Sequence, residues 1–389
     1  MPSPHPDRRR FIKQCAMGAC GLGLGAYAIG DLLDAEEDRR LRRGFAHDAP
    51  EKLWQWAREA EWYESGDHGV RCLLCPHQCA LGEEDRGFCR TRVVKEGKLH
   101  TLVYGNPCSL HLDPIEKKPL YHFLPGSPIL SLATAGCNLR CLNCQNWQIS
   151  QSKPEELQHY DLLPEKLVET AAERQIPAIA YTYSEPIIYY EYARDAAALA
   201  REKGIRNVLV TAGYIQEAPL RSLCRVVDAA NVDLKSFSND FYKQIAGGTL
   251  KPVLDCLRIM REEGVWVEVT RLIVPTHSDD LDDIRRMCRW LVAELGADTP
   301  LHFSRFHPAY KLQTLPPTPA ETMEQAYQIA LEEGLHYAFV GNLAGHPAQD
   351  TICPNCRRRV IERGGMRVHS NLLEGGRCSC GERIAGVWM

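Results

Sequence analysis

A chain of 389 residues, 25% charged and 44% hydrophobic, has the make-up of an ordinary globular protein and room for about two or three domains. Its formal net charge of -4 argues against a general nucleic-acid or membrane-surface binder. Seventeen cysteines are many for this size, and most sit in groups at short gaps, which reads as metal sites rather than a disulfide framework.

The chain opens with Arg8-Arg9-Arg10-Phe11-Ile12-Lys13, then a weakly apolar, glycine-rich stretch and the small-x-small run Ala26-Tyr27-Ala28. Residues 1–30 therefore read as an export signal of the twin-arginine, folded-protein type, giving a periplasmic or membrane-associated protein. The alternative is a basic tail on a cytoplasmic one. Residues 31–70 are predicted as a charged helical linker carrying Leu32, Leu33, Leu53, Trp54, Trp56, Ala57 and Trp62, with Arg39 to Arg43 as a solvated face.

Residues 71–125 hold Cys72-Leu-Leu-Cys75-Pro-His-Gln-Cys79 and, ten residues on, Cys89. A structural metal such as zinc and a second iron–sulfur cluster are both open here, and His77 could replace one thiolate. Cys108, Cys224, Cys256 and Cys288 stand alone and read as small core residues.

From Ile129 onward short apolar strands alternate with amphipathic helices. The predicted strands are 129–134, 178–183, 207–211, 231–235, 265–274 and 301–306. Predicted helices between them include 164–174 and 279–295, the latter with Asp279 as cap. This alternation defines an α/β fold with a parallel sheet, closed or partly closed as a (β/α)6-type barrel over residues 126–345. Chemistry in such barrels sits on the loops after the strands.

The first of those loops is Cys137-Asn-Leu-Arg-Cys141-Leu-Asn-Cys144. Three thiolates this close along a turn can face one soft metal centre, and three rather than four suggest an iron–sulfur cluster with one iron open for a ligand; a zinc knuckle or buried loop cysteines are the alternative. Other strand ends supply Glu185, Thr211, Asp233, Lys235 and His307, and Arg271 lies within the fifth predicted strand. Asp233 and Lys235 point to one side of their strand, where charges are seldom tolerated unless paired or used. Over residues 346–389, Cys353-x2-Cys356 and Cys378-Ser-Cys380 look like two halves of one four-thiolate zinc site.

Laid out together, these residues resemble the radical S-adenosylmethionine (SAM) enzymes related to pyruvate formate-lyase activating enzyme. More narrowly, they resemble the radical SAM enzyme of the AmmeMemoRadiSam system. The resemblance covers about residues 70–389. It rests on Cys72-Leu-Leu-Cys75-Pro-His, Asp113-Pro-Ile-Glu-Lys-Lys-Pro-Leu-Tyr-His-Phe-Leu-Pro-Gly126, Gly136-Cys-Asn-Leu-Arg-Cys141-Leu-Asn-Cys144-Gln-Asn146, Tyr181-Thr-Tyr-Ser-Glu-Pro186, Val232-Asp-Leu-Lys235 and Cys353-Pro-Asn-Cys356.

It implies a 4Fe–4S cluster on Cys137, Cys141 and Cys144 whose open iron takes the methionine end of S-adenosylmethionine. Glu185 matches the acidic residue that holds the methionine amino group, although the usual Gly-Gly-Glu reads Tyr-Ser-Glu here. Lys235 and His307 match cofactor-contacting positions. The implied partners are a low-potential electron donor, Memo- and AmmeMemo-type proteins, and a small-molecule or peptide substrate. A glycyl-radical activase and a non-catalytic iron–sulfur or zinc protein are the alternatives.

Overall fold

The computed structural model describes residues 53–66 and 69–388, and a two-residue strand at Arg42–Arg43 that pairs with His159–Tyr160. The signal expected over residues 1–30 lies outside the described residues.

Eight strands form the central sheet: β1 (Ser109–Pro114), β2 (Pro128–Ala133), β3 (Ala178–Tyr181), β4 (Arg206–Thr211), β5 (Ala229–Asp233), β6 (Trp266–Ile273), β7 (Leu301–Arg305) and β8 (Ala338–Gly341). They lie in chain order across the sheet. All neighbours from β2 to β8 pair parallel, whereas β1 is antiparallel to β2. The helices that return the chain are α1 (Pro164–Glu173), α2 (Tyr190–Glu202), α3 (Glu217–Cys224), α4 (Lys251–Glu262), α5 (Leu281–Glu294) and α6 (Ala320–Glu332).

The pleat sorts the side chains. Leu130, Leu132, Ile179, Tyr181, Leu209 and Val232 pack toward the helices. The alternate set, Ile129, Ala178, Ala180, Val208 and Ala229, packs on Ile115, Leu120, Phe123 and Leu124. Small residues on that inner face leave room for the 115–124 segment, which fills the floor of the barrel. Its backbone is claimed by the sheet: the N–H groups of Tyr121 and His122 donate to the Glu268 carboxylate at 2.9 and 2.8 Å, and Asn231 Nδ2 donates to Pro119 O at 2.8 Å. Glu268 is fully buried, which opposes its charge. The His302 bond at 2.6 Å and these N–H groups nonetheless hold its carboxyl below the ordinary value.

The helices follow their local signals. Pro164 opens α1, and Leu167, Val168 and Ala171 form its buried stripe. On α5 the stripe is Ile284, Met287, Cys288 and Leu291. Its cap is Asp280 rather than the expected Asp279, accepting from Asp283 N at 3.0 Å.

Residues 53–66 depart from the helical linker expected there. After a single turn at Trp54–Trp56, Arg58–Glu59 pairs with Lys98–Thr101 and Tyr63–Gly66 pairs with Gly69–Cys72. Leu53 and Trp56 bury against Val93 and Leu102, so tertiary packing overrides the helix-like spacing. The expected boundary at residue 126 also shifts, because Ser109–Pro114 joins the barrel sheet as its antiparallel edge.

Residues 351–388 carry a three-stranded antiparallel sheet, Thr351–Ile352, Arg359–Gly364 and Arg367–Asn371. It docks on the barrel floor. Arg363 Nη2 donates to Tyr121 O at 2.7 Å, Val387 N donates to His122 O at 2.7 Å, and Tyr121, Tyr337 and Phe339 share one apolar cluster with Cys353, Val360 and Ile384. This end of the barrel is the one where the strands begin, opposite the loops that follow them.

Candidate active site

The three central cysteines follow β2 on a loop fixed by its backbone. Arg140 N donates to Ala246 O at 2.7 Å, Leu142 N to Ile245 O at 3.0 Å and Gly136 N to Ile149 O at 2.9 Å. Asn138 Nδ2 reaches Tyr214 O at 2.8 Å. Gly136 sits at φ 93°, and a Cβ there would lie 2.5 Å from Cys89 O, so the approach of the two loops requires glycine.

Cys137 Sγ accepts the Leu139 N–H at 3.3 Å, Cys144 Sγ lies 3.2 Å from Ser150 Oγ, and all three thiols are half-buried. Among the described residues, the donor set that draws together within 4.8 Å is the C-terminal one, not this one. Thiols more widely spread than a single ion needs, on one ordered loop with the Leu139 N–H and the Ser150 hydroxyl turned to sulfur, fit a multi-iron cluster whose ligands bind separate irons.

Glu185 follows β3 and is buried. Its Oε1 accepts Thr211 Oγ1 at 2.5 Å and its Oε2 accepts Ala212 N at 2.8 Å, which ties the ends of β3 and β4 together. Burial pushes its carboxyl up to about 7, against these bonds and the Lys235 charge. Pro186 opens the next helical turn as expected, and Glu185 also caps it by accepting Ile187 N at 3.3 Å. Its field bears on Cys137, while that of Lys235 bears on Cys141. Lys235 pairs with Asp233 at 2.9 Å. Cys137, Cys141, Cys144, Glu185, Thr211, Asp233 and Lys235 thus come from consecutive strand ends on one face of the barrel.

One expected site residue goes elsewhere. Arg271 is fully buried and is committed to Asp283 at 3.0 Å and Ser278 O at 2.9 Å, on the helix side of β6. Asp283 Oδ2 also accepts Phe237 N at 3.1 Å, so Arg271 braces the loop after Lys235 rather than facing the cysteines. His307 is exposed beyond the end of β7.

Sequence reasoning quoted Asp113 to Gly126 without assigning any of its side chains a place. Asp113 is buried and receives Lys117 Nζ at 2.8 Å, Lys118 Nζ at 2.6 Å and the Tyr183 hydroxyl. Burial lowers the Lys118 amine to about 8 despite Asp113, and its Nζ stands 4.4 Å over the Tyr183 ring. The local signal for this cluster was the pairing of an acid with two lysines four and five residues on; the part of Tyr183, 70 residues away, had none.

The outer cysteines form two different arrangements. In the C-terminal set Cys353 Sγ is 3.7 Å from Cys380 Sγ and Cys356 Sγ is 3.6 Å from Cys378 Sγ, with all four atoms within 4.8 Å of one another. That is a site for one tetrahedral ion. Cys72, Cys75, Cys79 and Cys89 instead line a shared pocket. His77 lies outside that lining, with its Nε2 at 2.8 Å from Asn138 O.

A parallel barrel with three cysteines after its first parallel strand and a buried glutamate after the second defines a class, and comparison agrees with it. Residues 131–291 match the model of the radical SAM superfamily. The chain is 48% identical over 331 residues to an uncharacterized protein of Methanocaldococcus jannaschii, covering 84% of this chain and 98% of that protein. It is 30% identical over 156 residues to the pyruvate formate-lyase-activating enzyme of Clostridium pasteurianum, covering 39% of this chain and 64% of that enzyme. With the pyruvate formate-lyase 1-activating enzyme of Escherichia coli it shares 24% identity over 221 residues, covering 52% of this chain and 89% of the enzyme. Residues 131–291 thus carry a radical SAM domain, and the chain is similar to the pyruvate formate-lyase activating enzymes.

Proposed function

We propose that Cys137, Cys141 and Cys144 hold a 4Fe–4S cluster beside a SAM site, and that the protein abstracts hydrogen from a small-molecule or peptide substrate. When bound, cluster and SAM together supply a 5′-deoxyadenosyl radical. The chain's own part is to position and to keep water out. Glu185, made rigid by Thr211 and Ala212, offers a carboxylate to the methionine amino group; Asp233 and Lys235 line the same face. The observation that carries this reading is the convergence of the three-cysteine loop with buried Glu185.

Within the superfamily, we favour the AmmeMemoRadiSam branch, with Memo- and AmmeMemo-type partners and a low-potential electron donor. The match to the E. coli activating enzyme covers 52% of this chain, whereas the archaeal relative covers 84%. The similarity to activating enzymes keeps a glycyl-radical activase as the second reading.

Cys141→Ala tests the chemistry. The reduced, reconstituted variant is expected to fold, to lose the central iron and to make no 5′-deoxyadenosine from SAM. Retained cleavage would falsify the assignment.

A further inference from the structure

Two four-cysteine sets in one chain have opposite geometry. The C-terminal four close to within 4.8 Å, as ligands of one ion do. Among the described residues, no three of Cys72, Cys75, Cys79 and Cys89 close that far. Instead all four line one pocket, with Leu74, Leu81, Phe88 and Ile188 as apolar walls. Thiols arranged around a space, rather than around a point, suit an inorganic core that fills it.

The pocket has further marks of such a site. Phe88 N–H donates to Cys79 Sγ at 3.4 Å and Thr91 Oγ1 donates to Cys89 Sγ at 3.3 Å, the kind of bonds that tune cluster thiolates. Arg92, buried to 1% exposure, also lines it. Glu191 takes its Nη2 at 2.6 Å, yet its Nε has no partner. A four-thiolate cluster carries net negative charge, and a buried guanidinium offsets it.

We infer that Cys72, Cys75, Cys79 and Cys89 hold a second, four-thiolate 4Fe–4S cluster, against the expectation of structural zinc. Its loop is built onto the central one. The Cys89 carbonyl abuts Gly136, where a Cβ would lie 2.5 Å away, and His77 Nε2 meets Asn138 O at 2.8 Å. Arg140 bridges both loops, donating to Cys137 O at 2.8 Å and to Phe88 O. Cys75 and Cys79 are half-buried, so the pocket reaches solvent beside the central loop. An electron given up by a low-potential one-electron carrier, which is thereby oxidised, enters through this pocket and passes across the Cys89–Gly136 contact to the three-cysteine loop. That role, though not the cluster itself, rests on the SAM reading proposed above.

The test counts metals in the anaerobically isolated full chain and in two variants, alongside paramagnetic resonance of the reduced proteins. The wild type is expected to carry about eight irons and about one zinc. Replacing Cys75 and Cys79 together by Ser should lower iron about twofold with zinc unchanged, leaving a signal that shifts on adding SAM. Replacing Cys137, Cys141 and Cys144 together by Ala should keep about four irons, with a signal indifferent to SAM. About four irons and two zincs in the wild type would overturn the inference. So would a folded triple variant without iron, which decides the matter even if the Cys75/Cys79 variant fails to fold. A triple variant that keeps its irons, beside a wild type that never cleaves SAM, upholds the second cluster and rejects the SAM reading.

Discussion

Glu185 holds two tasks that pull against each other. Its carboxyl is raised to about 7 because burial disfavours the ion, yet a methionine amino group is held by the ionised form. The folded state therefore binds a proton that the unfolded chain, near the model value of 4.5, has already lost. The stability linked to that proton is fully present below the unfolded value and disappears as pH rises through about 7. Two consequences follow in the wild type. Stability should decline between about pH 5 and 7.5, by up to about 3 kcal/mol at one pH unit per 1.36 kcal/mol. SAM affinity should instead rise over pH 6 to 8. Glu185→Gln should flatten both profiles and weaken SAM binding about tenfold or more, read by calorimetric titration and by urea unfolding across pH. A Gln variant with wild-type affinity and an unchanged pH slope would remove Glu185 from the site. That it sits at a strand end was legible from Tyr181-Thr-Tyr-Ser-Glu-Pro186; that Thr211 and Ala212 hold it was not, since β3 and β4 meet only in the sheet. Arg271 shows the reverse. Its position within a strand was correct, but sequence could not tell which face of β6 it takes, and a partner on α5 decides it.

At the scale of elements, alternation of short apolar runs with amphipathic stripes was enough to find the six strands expected from Ile129 on. Each lies within two residues of its observed ends, because buried parallel strands are near-continuously apolar. β1 was missed since Ser109–Pro114 mixes polar and apolar residues at the edge; β8, Ala338–Gly341, was missed although it is as long as β3. The loop after Lys235 depends on an element far from it in sequence: Asp283 of α5 holds both Arg271 and Phe237 N. Asp283→Ala leaves a guanidinium buried without its charge partner, and is expected to cost about 3–5 kcal/mol of stability by denaturant unfolding. Arg271→Met at the same contact should cost less, because the Asp283 carboxylate that remains still holds Arg286 at 3.0 Å and the Phe237 N–H at 3.1 Å. Equal losses would mean that packing, not the ion pair, sets the energy there. The C-terminal sheet carries the four cysteines expected to form one zinc site. Its docking on Tyr121, His122 and Phe339 places it at the barrel end away from the central cysteines, which favours a stabilising role. Cys356→Ser or Cys380→Ser should release zinc and lower the melting temperature by several degrees, with the spectrum of the central cluster unchanged. Loss of iron in place of zinc would give this set a different metal.

On the scale of the whole molecule, three cysteine sets proposed to hold metal along one chain bear on how it reaches its place of work. Thiolate-held metals are lost when their ligands unfold, so such a protein suits a route that moves it folded. The Arg8-Arg9-Arg10-Phe11-Ile12-Lys13 run, a weakly apolar stretch and Ala26-Tyr27-Ala28 fit the twin-arginine route. Export by that route remains a proposal from residues outside those described. It brings a requirement with it: an electron donor of low potential on the far side of the membrane. The half-buried Cys75 and Cys79 would be the place such a donor meets. Changing Arg8 and Arg9 together to Lys should hold the protein in the cytoplasm with residues 1–28 attached and its metal content intact, because the change touches the address and none of the ligands. The native protein should be found without those residues, or at the membrane through them. Fractionation that recovers the native chain full-length and freely soluble in the cytoplasm would reduce the arginines to a solvated tail and return the search for the electron donor to that compartment.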